Sequence, residues 1–326
     1  MSELFIKQEL LKTLPTLDAV ILDIDGVVLD VSQSFRVAIS QTTQLYATRW
    51  MHLEDTGPLL PEEQIDLFKM AGGFNSDWDL TNAAVGLVLA KHAQSGATDT
   101  QTLVDQAPDW AEYTRDIKRR GGGPLAAEAV ILQILDANQR RDFANALNPR
   151  LVTQLFQEMY GGEEACKMLY GFDPEHLHVD GLYQSEKVLL DNSLLPSKLM
   201  IGVLTGRTRK ETELALRFAD LTDRIAPAHW VTEDDGIRKP DGQTLVLLQE
   251  RMKFRHAVFI GDTMDDLNTV INYRETKGSG RAKVLSAIAL SGPAGVANRR
   301  AFLEAGTEIA MPDVNTFLSY LRHVLK

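Results

Sequence analysis

The sequence predicts an α/β fold in which a doubly wound parallel sheet carries an inserted, mostly helical domain. Three continuous apolar runs, Ala19–Leu22, 199–204 and 257–260, each lead into a glycine-containing turn. Such runs are typical of strands buried on both faces of a parallel sheet. Strand and helix patterns alternate near the two ends of the chain, whereas the middle carries mainly helical periodicity. The ends therefore predict one sheet domain, and the middle predicts a helical insertion.

The remaining core elements follow from the patterns around these runs. The opening residues 2–14 mix apolar, acidic and basic side chains in a way that predicts an amphipathic helix. Helical patterns begin near Thr208 and after the third apolar run. In chain order, the other predicted core elements are a helix at 243–252, a strand at 283–290, a helix at 298–305, a short strand at 307–310 and a helix at 314–325.

The insertion is expected to form a domain of its own. The sheet domain is expected to comprise residues 1–31 and 187–326, and the insertion residues 32–186. An insertion of about 155 residues is long enough for its own small core and predicts a cap that closes over a small substrate. Helical periodicity within it covers 34–46, 61–70, 82–92, 125–135 and 149–160.

Two glycine pairs in the insertion also carry predictions. Residues 72–78 have the composition of a specificity loop. The alternative is a turn between helices in which Asn75 and Asp77 cap a helix and Trp78 packs inside. The glycines at 161–162 predict the end of a helix.

Composition limits the classes of function. The chain has 326 residues, of which 44% are hydrophobic, so it can bury a sizeable core. A formal charge of -11 opposes binding to nucleic acid. Cys166 is the single cysteine, which excludes a disulfide framework. Neither a signal peptide nor a membrane span is evident in the sequence, so we expect a cytoplasmic protein that does not bind membranes.

The first candidate site residues follow the first apolar run. Asp23 and Asp25 stand one residue apart where the predicted strand meets a turn at Gly26. Open α/β sheets bind ligands beyond the carboxyl ends of their strands, which places both acids at the expected mouth of a site. Taken alone, such a turn has a simple structural explanation, because Asp hydrogen-bonds its own backbone and Gly accepts positive φ.

Further candidates recur downstream in matching contexts. Each stands at the end of an apolar run or in a loop before a helical pattern. Singly they are ordinary turn and cap residues, but together they predict one site for phosphoryl chemistry. They are Thr205, Gly206 and Arg207 after the second run, Lys239 in a polar loop, and Asp262, Asp265 and Asp266 after the third run.

With these motifs the chain resembles the haloacid dehalogenase superfamily of phosphatases and phosphotransferases. Its four motifs are matched by residues 23–27, Thr205, Lys239, and Asp262 with Asp266. The place of the insertion is similar to the IA-like subfamily, whose cap follows the first motif. The resemblance implies a Rossmann-like core. Members of the superfamily that remove halide or cleave carbon–phosphorus bonds lack an Asp at the position that corresponds to Asp25. The ATP-driven pumps carry Thr at that position.

The acids themselves predict a divalent cation. A phosphate monoester is doubly negative near neutral pH, so an attacking carboxylate needs nearby positive charge. Mg²⁺ takes hard oxygen ligands and binds through one or two carboxylates and the substrate phosphate. If the strands are neighbours, as the resemblance implies, Asp23 and Asp262 each supply one oxygen, and the backbone carbonyl of Asp25 supplies a third. The Asp25 side chain is expected to avoid the metal.

The same residues suggest a reaction. Asp23 is the expected nucleophile, which forms an aspartyl-phosphate and divides one displacement into two easier ones. Asp25, two residues further on, is the expected general acid and base. Lys239 supplies a second positive charge between Asp23 and the phosphoryl oxygens, and Asp266 orients Lys239. For Asp265 the sequence favours a helix-start acid over a group that supports the metal.

Four residues are candidates for phosphate or substrate binding. The Thr205 hydroxyl and the Gly206 N–H stand at a turn before a helix N-terminus, where anions are favoured. Gly26 and Arg207 flank the same expected site and are candidates for contact with phosphate or substrate.

The hypothesis is a Mg²⁺-dependent phosphomonoester hydrolase that acts on a small phosphorylated metabolite. A phosphomutase with the same core chemistry is one alternative. A catalytically silent phosphate-binding regulatory protein is another, and a scaffold with an exposed apolar face on the insertion is a third. Intact Asp23, Asp25, Lys239 and Asp262 favour an active enzyme. The sequence identifies neither the substrate nor the oligomeric state.

Overall fold

A computed structural model of the chain describes residues 3–74, 76–276, 280–292 and 295–325. The chain divides into two compact units. The core unit consists of the residues up to Val31 and those from Glu186 onward, and the helical unit is Ser32–Ser185.

The described residues form nine strands and thirteen α-helices, besides shorter turns. The strands are β1 (Phe5–Ile6), β2 (Ala19–Leu22), β3 (Leu29–Asp30), β4 (Lys187–Val188), β5 (Met200–Leu204), β6 (Trp230–Val231), β7 (His256–Gly261), β8 (Lys283–Ala289) and β9 (Ile309–Met311). The helices of the helical unit are α1 (Phe35–Leu45), α2 (Glu62–Ala71), α3 (Asp77–Ser95), α4 (Thr100–Val104), α5 (Trp110–Arg119), α6 (Gly123–Ile134), α7 (Ala137–Ala146) and α8 (Pro149–Tyr170). Those of the core unit are α9 (Arg209–Phe218), α10 (Gln243–Met252), α11 (Met264–Glu275), α12 (Gly295–Glu304) and α13 (Val314–Val324).

The main sheet of the core unit has seven strands in the order β1-β9-β8-β7-β2-β5-β6. Strand β2 lies between β5 and β7 and is parallel to both, with Leu22 opposite Val203 on one side and Ile260 on the other. The predicted α/β class is thus confirmed. The sheet is mixed, however, because the edge strand β1 is antiparallel to β9.

The opening segment corrects one prediction. Residues 2–14 were expected to form an amphipathic helix, whereas the described part contains β1 and a short 3₁₀ turn at Gln8–Leu10. Phe5 and Ile6 pair with β9, and the Lys7 N–H donates to the Glu308 carbonyl. An isolated short helix is marginal in water, so pairing with an open sheet edge is the better use of this backbone.

Helices cover both faces of the sheet, as a doubly wound fold requires. Along β2, Val20 and Leu22 belong to one apolar cluster, and Ala19 and Ile21 belong to another. Side chains of α9 and α13 complete the first cluster, and those of α10 and α11 complete the second. The two-residue period of an extended strand therefore divides one buried run between two cores.

A small second sheet lies beside the first acidic turn. Strands β3 and β4 pair antiparallel, with Leu29 opposite Val188 and Asp30 opposite Lys187. The N–H of Leu189 donates to the Val28 carbonyl. The segment that returns to the core unit at residue 186 is therefore held against residues 28–30.

The helical unit is built around α3. This helix buries residues all round its surface and packs against α1, α6, α7 and α8. All five predicted helices of the insertion are present, with shifted ends, and α4, α5 and α7 are additional. Among the described residues, no helix is both long and apolar enough to cross a membrane.

The glycine pairs of the helical unit mark breaks in helical structure. Residues Pro149–Tyr170 of α8 form two helical segments, because Gly162 has non-helical backbone angles, with φ 57° and ψ -168°. The predicted helix end at 161–162 is therefore confirmed, and a second segment follows it directly. In the 72–78 segment, Ser76 caps α3 by accepting from the Asp79 N–H. Asn75 lies outside the described residues. Its proposed capping role, and the specificity-loop interpretation, therefore stay predictions.

Candidate active site

The candidate site forms where three parallel strands end at the same edge of the sheet. Asp23 follows β2, Thr205 follows β5 and Asp262 follows β7. The Asp23 N–H donates to the Ile260 carbonyl, and the Thr205 N–H donates to the Val231 carbonyl, so the hydrogen-bond ladder extends to the first functional residue after β2 and after β5. Parallel order therefore brings together side chains that are far apart in sequence.

Lys239 bridges two acids of this cluster. Its buried Nζ donates to Asp23 Oδ2 at 2.7 Å and to Asp266 Oδ1 at 2.6 Å. Burial alone would lower the pKa of Lys239, but the two carboxylates outweigh it and raise that pKa. The backbone of the next residue, Pro240, is also held in place, because Asn272 Nδ2 donates a hydrogen bond to its carbonyl. The ammonium is therefore a fixed positive charge.

Asp266 forms hydrogen bonds both to Lys239 and to the loop after β7. Its Oδ2 accepts from the Thr263 hydroxyl at 2.6 Å, the Thr263 N–H at 2.9 Å and the Asp262 N–H at 3.1 Å. Thr263 caps α11 in return, which forms a capping box. Burial would raise the pKa of Asp266, but Lys239 and the Thr263 bonds lower it. Both oxygens of Asp266 are thus committed to donors.

Asp23, Asp262 and Asp266 form a compact acidic cluster. One oxygen from each lies within 4.8 Å of the other two. Burial, reinforced by the neighbouring acids and opposed by Lys239, raises the pKa of Asp23 to about 7. Burial and the Asp266 and Asp23 carboxylates raise the pKa of Asp262 well above its ordinary value. The cluster has more negative charge than Lys239 alone balances.

The donor set fits a hard divalent cation. No donor among the described residues hydrogen-bonds to the Asp262 carboxylate, so both of its oxygens remain for another partner. Asp23 contributes a second carboxylate, whereas the oxygens of Asp266 are already occupied. All the available ligands are oxygens, which suits Mg²⁺. Asp23 and Asp262 are therefore the side chains that would hold it.

Two glycines make room for the Asp262 carboxylate. A Cβ on Gly26 or on Gly292 would come well inside 3.0 Å of Asp262 Oδ2, a separation that Cβ atoms do not reach. Gly26 also has a φ of +71°, and its carbonyl accepts from the Ser291 hydroxyl at 2.7 Å. Sequence reasoning missed residues 291 and 292, because a Ser-Gly pair after a strand indicates only a turn.

Asp25 is held by Arg207. Both Arg207 Nε, at 2.8 Å, and Nη2, at 2.7 Å, contact Asp25 Oδ1. The same Nη2 donates to Glu186 Oε1 at 2.9 Å. The Arg207 and Glu186 side chains are 1% and 0% exposed, whereas that of Asp25 is 30% exposed. Glu186 was also missed, since a lone Glu before a short strand has no distinctive pattern.

The remaining candidates lie at the same edge or just behind it. Thr205 is buried, and its Oγ1 accepts from the Arg207 N–H at 3.3 Å, across the turn that contains Gly206. Thr208 then caps α9 with a capping box. Asp265 is buried in the first turn of α11. The predicted site residues thus gather at one end of the sheet.

Comparison with known proteins identifies a family and a fold that this chain shares with them. The family model of haloacid dehalogenase-like hydrolases matches residues 17–272. The structure of phosphatase Tt82 from Thermococcus thioreducens is 22% identical, with a TM-score of 0.59, and the match covers 93% of this chain and 99% of that one. The X-ray structure of a Northeast Structural Genomics Consortium target is 14% identical, with a TM-score of 0.60 and coverage of 95% and 99%. At these identities the two structures show a shared fold.

One curated relative is longer than this chain. A protein named imidazoleglycerol-phosphate dehydratase, from Phytophthora nicotianae, is 25% identical over 254 residues. The match covers 76% of this chain and 40% of that protein, so the chain spans about two fifths of the relative's length.

Proposed function

The chain belongs to the haloacid dehalogenase-like hydrolases, and from this premise we propose that it is a Mg²⁺-dependent phosphatase of small phosphorylated metabolites. The observation that carries the proposal is the buried Lys239 ammonium between Asp23 and Asp266, beside an Asp262 carboxylate that has no donor among the described residues. An acidic cluster with one fixed cation and room for a second suits a doubly negative ester.

Asp23 is the proposed nucleophile. A carboxylate oxygen of Asp23 attacks phosphorus, the bond from phosphorus to the ester oxygen breaks, and an aspartyl-phosphate forms. Lys239 holds Asp23 in place and offsets charge on the phosphoryl oxygens. Mg²⁺, when held by Asp23, Asp262 and the Asp25 carbonyl, supplies the positive charge that lets two anions approach.

Asp25 is the proposed acid and base. Its carboxyl gives a proton to the departing ester oxygen, so the alcohol leaves neutral. It then takes a proton from a water molecule that attacks phosphorus, which releases inorganic phosphate and restores Asp23. Its 30% exposure supports this role, because the group must meet both leaving group and water, unlike the enclosed Asp23.

The other site residues are proposed to bind phosphate. The Thr205 hydroxyl and the Gly206 N–H are donors at the same sheet edge. The Gly26 N–H already donates to the Leu29 carbonyl at 2.8 Å, so the phosphate contact expected of Gly26 is replaced by a steric role, room for the Asp262 carboxylate. Asp266 orients Lys239, and Asp265 belongs to the start of α11. We further propose that the core unit is the catalytic domain and that the helical unit carries the residues that select the substrate.

The test is phosphate release from a panel of sugar phosphates, phosphoglycolate, nucleotides and amino-alcohol phosphates, with Mg²⁺ and with chelator. We expect release from at least one ester, its loss with chelator and its loss in Asp23→Asn. Conversion of a sugar phosphate to its isomer without phosphate release would favour the phosphomutase. Normal turnover in Asp23→Asn would overturn the assigned chemistry.

A further inference from the structure

The buried Arg207–Glu186 ion pair is an arrangement that the reaction above does not use. We propose that Arg207 and Glu186 are positioning residues that hold the Asp25 carboxyl in the orientation needed for proton transfer. The inference rests on the proposed function, since it assigns the groups that set the geometry of the proposed acid and base.

The hydrogen bonds to Asp25 are unevenly distributed. Arg207 Nε and Nη2 both contact Asp25 Oδ1, at 2.8 and 2.7 Å. No donor among the described residues bonds to Oδ2. One oxygen is thus fixed by a forked contact, and the other remains to give and take the proton. A planar guanidinium suits this task, because it fixes direction as well as distance.

Arg207 is itself held from two directions. Its backbone N–H donates to Thr205 Oγ1 at 3.3 Å, and its carbonyl accepts from the Glu233 N–H at 3.0 Å. Its guanidinium donates to Glu186 Oε1 at 2.9 Å. With a side chain only 1% exposed, Arg207 contacts two carboxylates in a buried setting, so the structure favours positioning over the substrate contact expected from the sequence.

Glu186 is fixed by the small sheet. The next residue, Lys187, pairs with Asp30, and the Leu189 N–H donates to the Val28 carbonyl. The Asp25 turn joins the same strands, because Asp25 forms a bridge with Leu29. The same small sheet therefore positions both Glu186 and Asp25, and the Arg207 side chain contacts both of them. A fully buried Glu side chain is costly without a cation, which Arg207 provides.

The experiment compares leaving groups. We would measure kcat/KM of the full-length protein with Mg²⁺ on p-nitrophenyl phosphate, whose leaving group departs without a proton, and on phenyl phosphate, whose leaving group needs one. In Glu186→Gln and Arg207→Lys we expect a loss of about 10- to 100-fold on phenyl phosphate and under about 3-fold on p-nitrophenyl phosphate. Asp25→Asn should show the same selectivity, with a larger loss.

Arg274→Met is the matched control, because it removes another core-unit ion pair, with Glu308, away from the sheet edge that carries the site. It should leave the ratio of the two kcat/KM values unchanged. Thermal melting checks that each variant folds, and Glu186→Gln preserves shape if Arg207→Lys does not fold.

Equal losses on both esters, or no loss, would overturn the positioning role while wild-type turnover still supports the phosphatase. Absence of wild-type turnover on both esters and on the metabolite panel would overturn the proposed function, and the inference with it.

Discussion

Gly292→Ala is the sharpest perturbation of the proposed metal site. Gly292 does not have a positive φ, so alanine imposes no left-handed strain there. Its Cβ, however, would overlap Asp262 Oδ2, and the carboxylate has to move by roughly 1 Å to regain van der Waals contact. Mg²⁺ demands near-ideal octahedral geometry, with bonds of about 2.0 to 2.1 Å, so a shift of that size loses the ligand.

We expect Gly292→Ala to weaken Mg²⁺ binding about 10- to 100-fold, the usual effect of disturbing a metal ligand through its neighbours. The free energy of unfolding should change by less than about 1 kcal/mol, because the displaced atom is the free end of a side chain. Calorimetric titration with Mg²⁺ measures the first quantity, and urea unfolding without metal measures the second.

The matched control is Gly57→Ala. Gly57 also lacks a positive φ, and its added Cβ would meet a side-chain oxygen, Gln101 Oε1, at 2.8 Å, in the helical unit. It should not alter the affinity for Mg²⁺. Unchanged affinity in Gly292→Ala would refute the assignment of Asp262 as a ligand, and an equal loss in both variants would show that the effect is not local.

Four further predictions concern charge and backbone. Because the pKa of Asp23 is raised to about 7, protons compete with the cation, and Mg²⁺ affinity measured by calorimetry should fall about 10-fold per pH unit below 7; a flat profile from pH 5 to 7 would contradict this. The same shift means that the folded state binds more protons than the unfolded state, so metal-free stability in urea should decrease as pH rises from about 4 to 7. Lys239→Met should reduce kcat/KM at least about 100-fold and lower metal-free stability, since it leaves two buried carboxylates without their ammonium; near-normal kinetics would exclude a charge-balancing role. Gly162→Ala should destabilise the protein by at least about 2 kcal/mol in urea unfolding, because its φ is +57° and its Cβ would overlap the backbone at residue 181. Gly171→Ala, with a φ of +85° in open space, isolates the strain alone and should cost less.

Several features of this protein are encoded in short stretches of sequence. The run Ala19–Leu22 predicts a buried strand, and its alternate side chains do enter two different cores. Thr208 and Thr263 precede helices with an acid three residues later, which is a local signal that both capping boxes bear out. Because parallel strands share a direction, acids at strand ends could be expected at one edge before any contact was known.

Local signals failed where the partner was distant in sequence. The charged opening segment has helical periodicity, yet it pairs with β9 at the edge of the sheet. An unpaired sheet edge offers backbone hydrogen bonds, and the sequence of the opening segment alone does not reveal that such an edge lies beside it. Helices α5 and α7 were not predicted, although each begins with a capping box, because their apolar positions are few and interrupted by charge.

The tertiary structure alone decided which carboxylate oxygens are occupied. The sequence and the family resemblance already assign Asp262 to the metal and Asp266 to Lys239, but only the fold shows that both oxygens of Asp266 accept hydrogen bonds. In the sequence Arg207 follows a turn that is expected to bind phosphate, whereas in the fold its side chain contacts Asp25 and Glu186. Residue type and strand position determine which chemistry is available, because they act locally. Which oxygen is engaged depends on contacts between segments that only folding brings together.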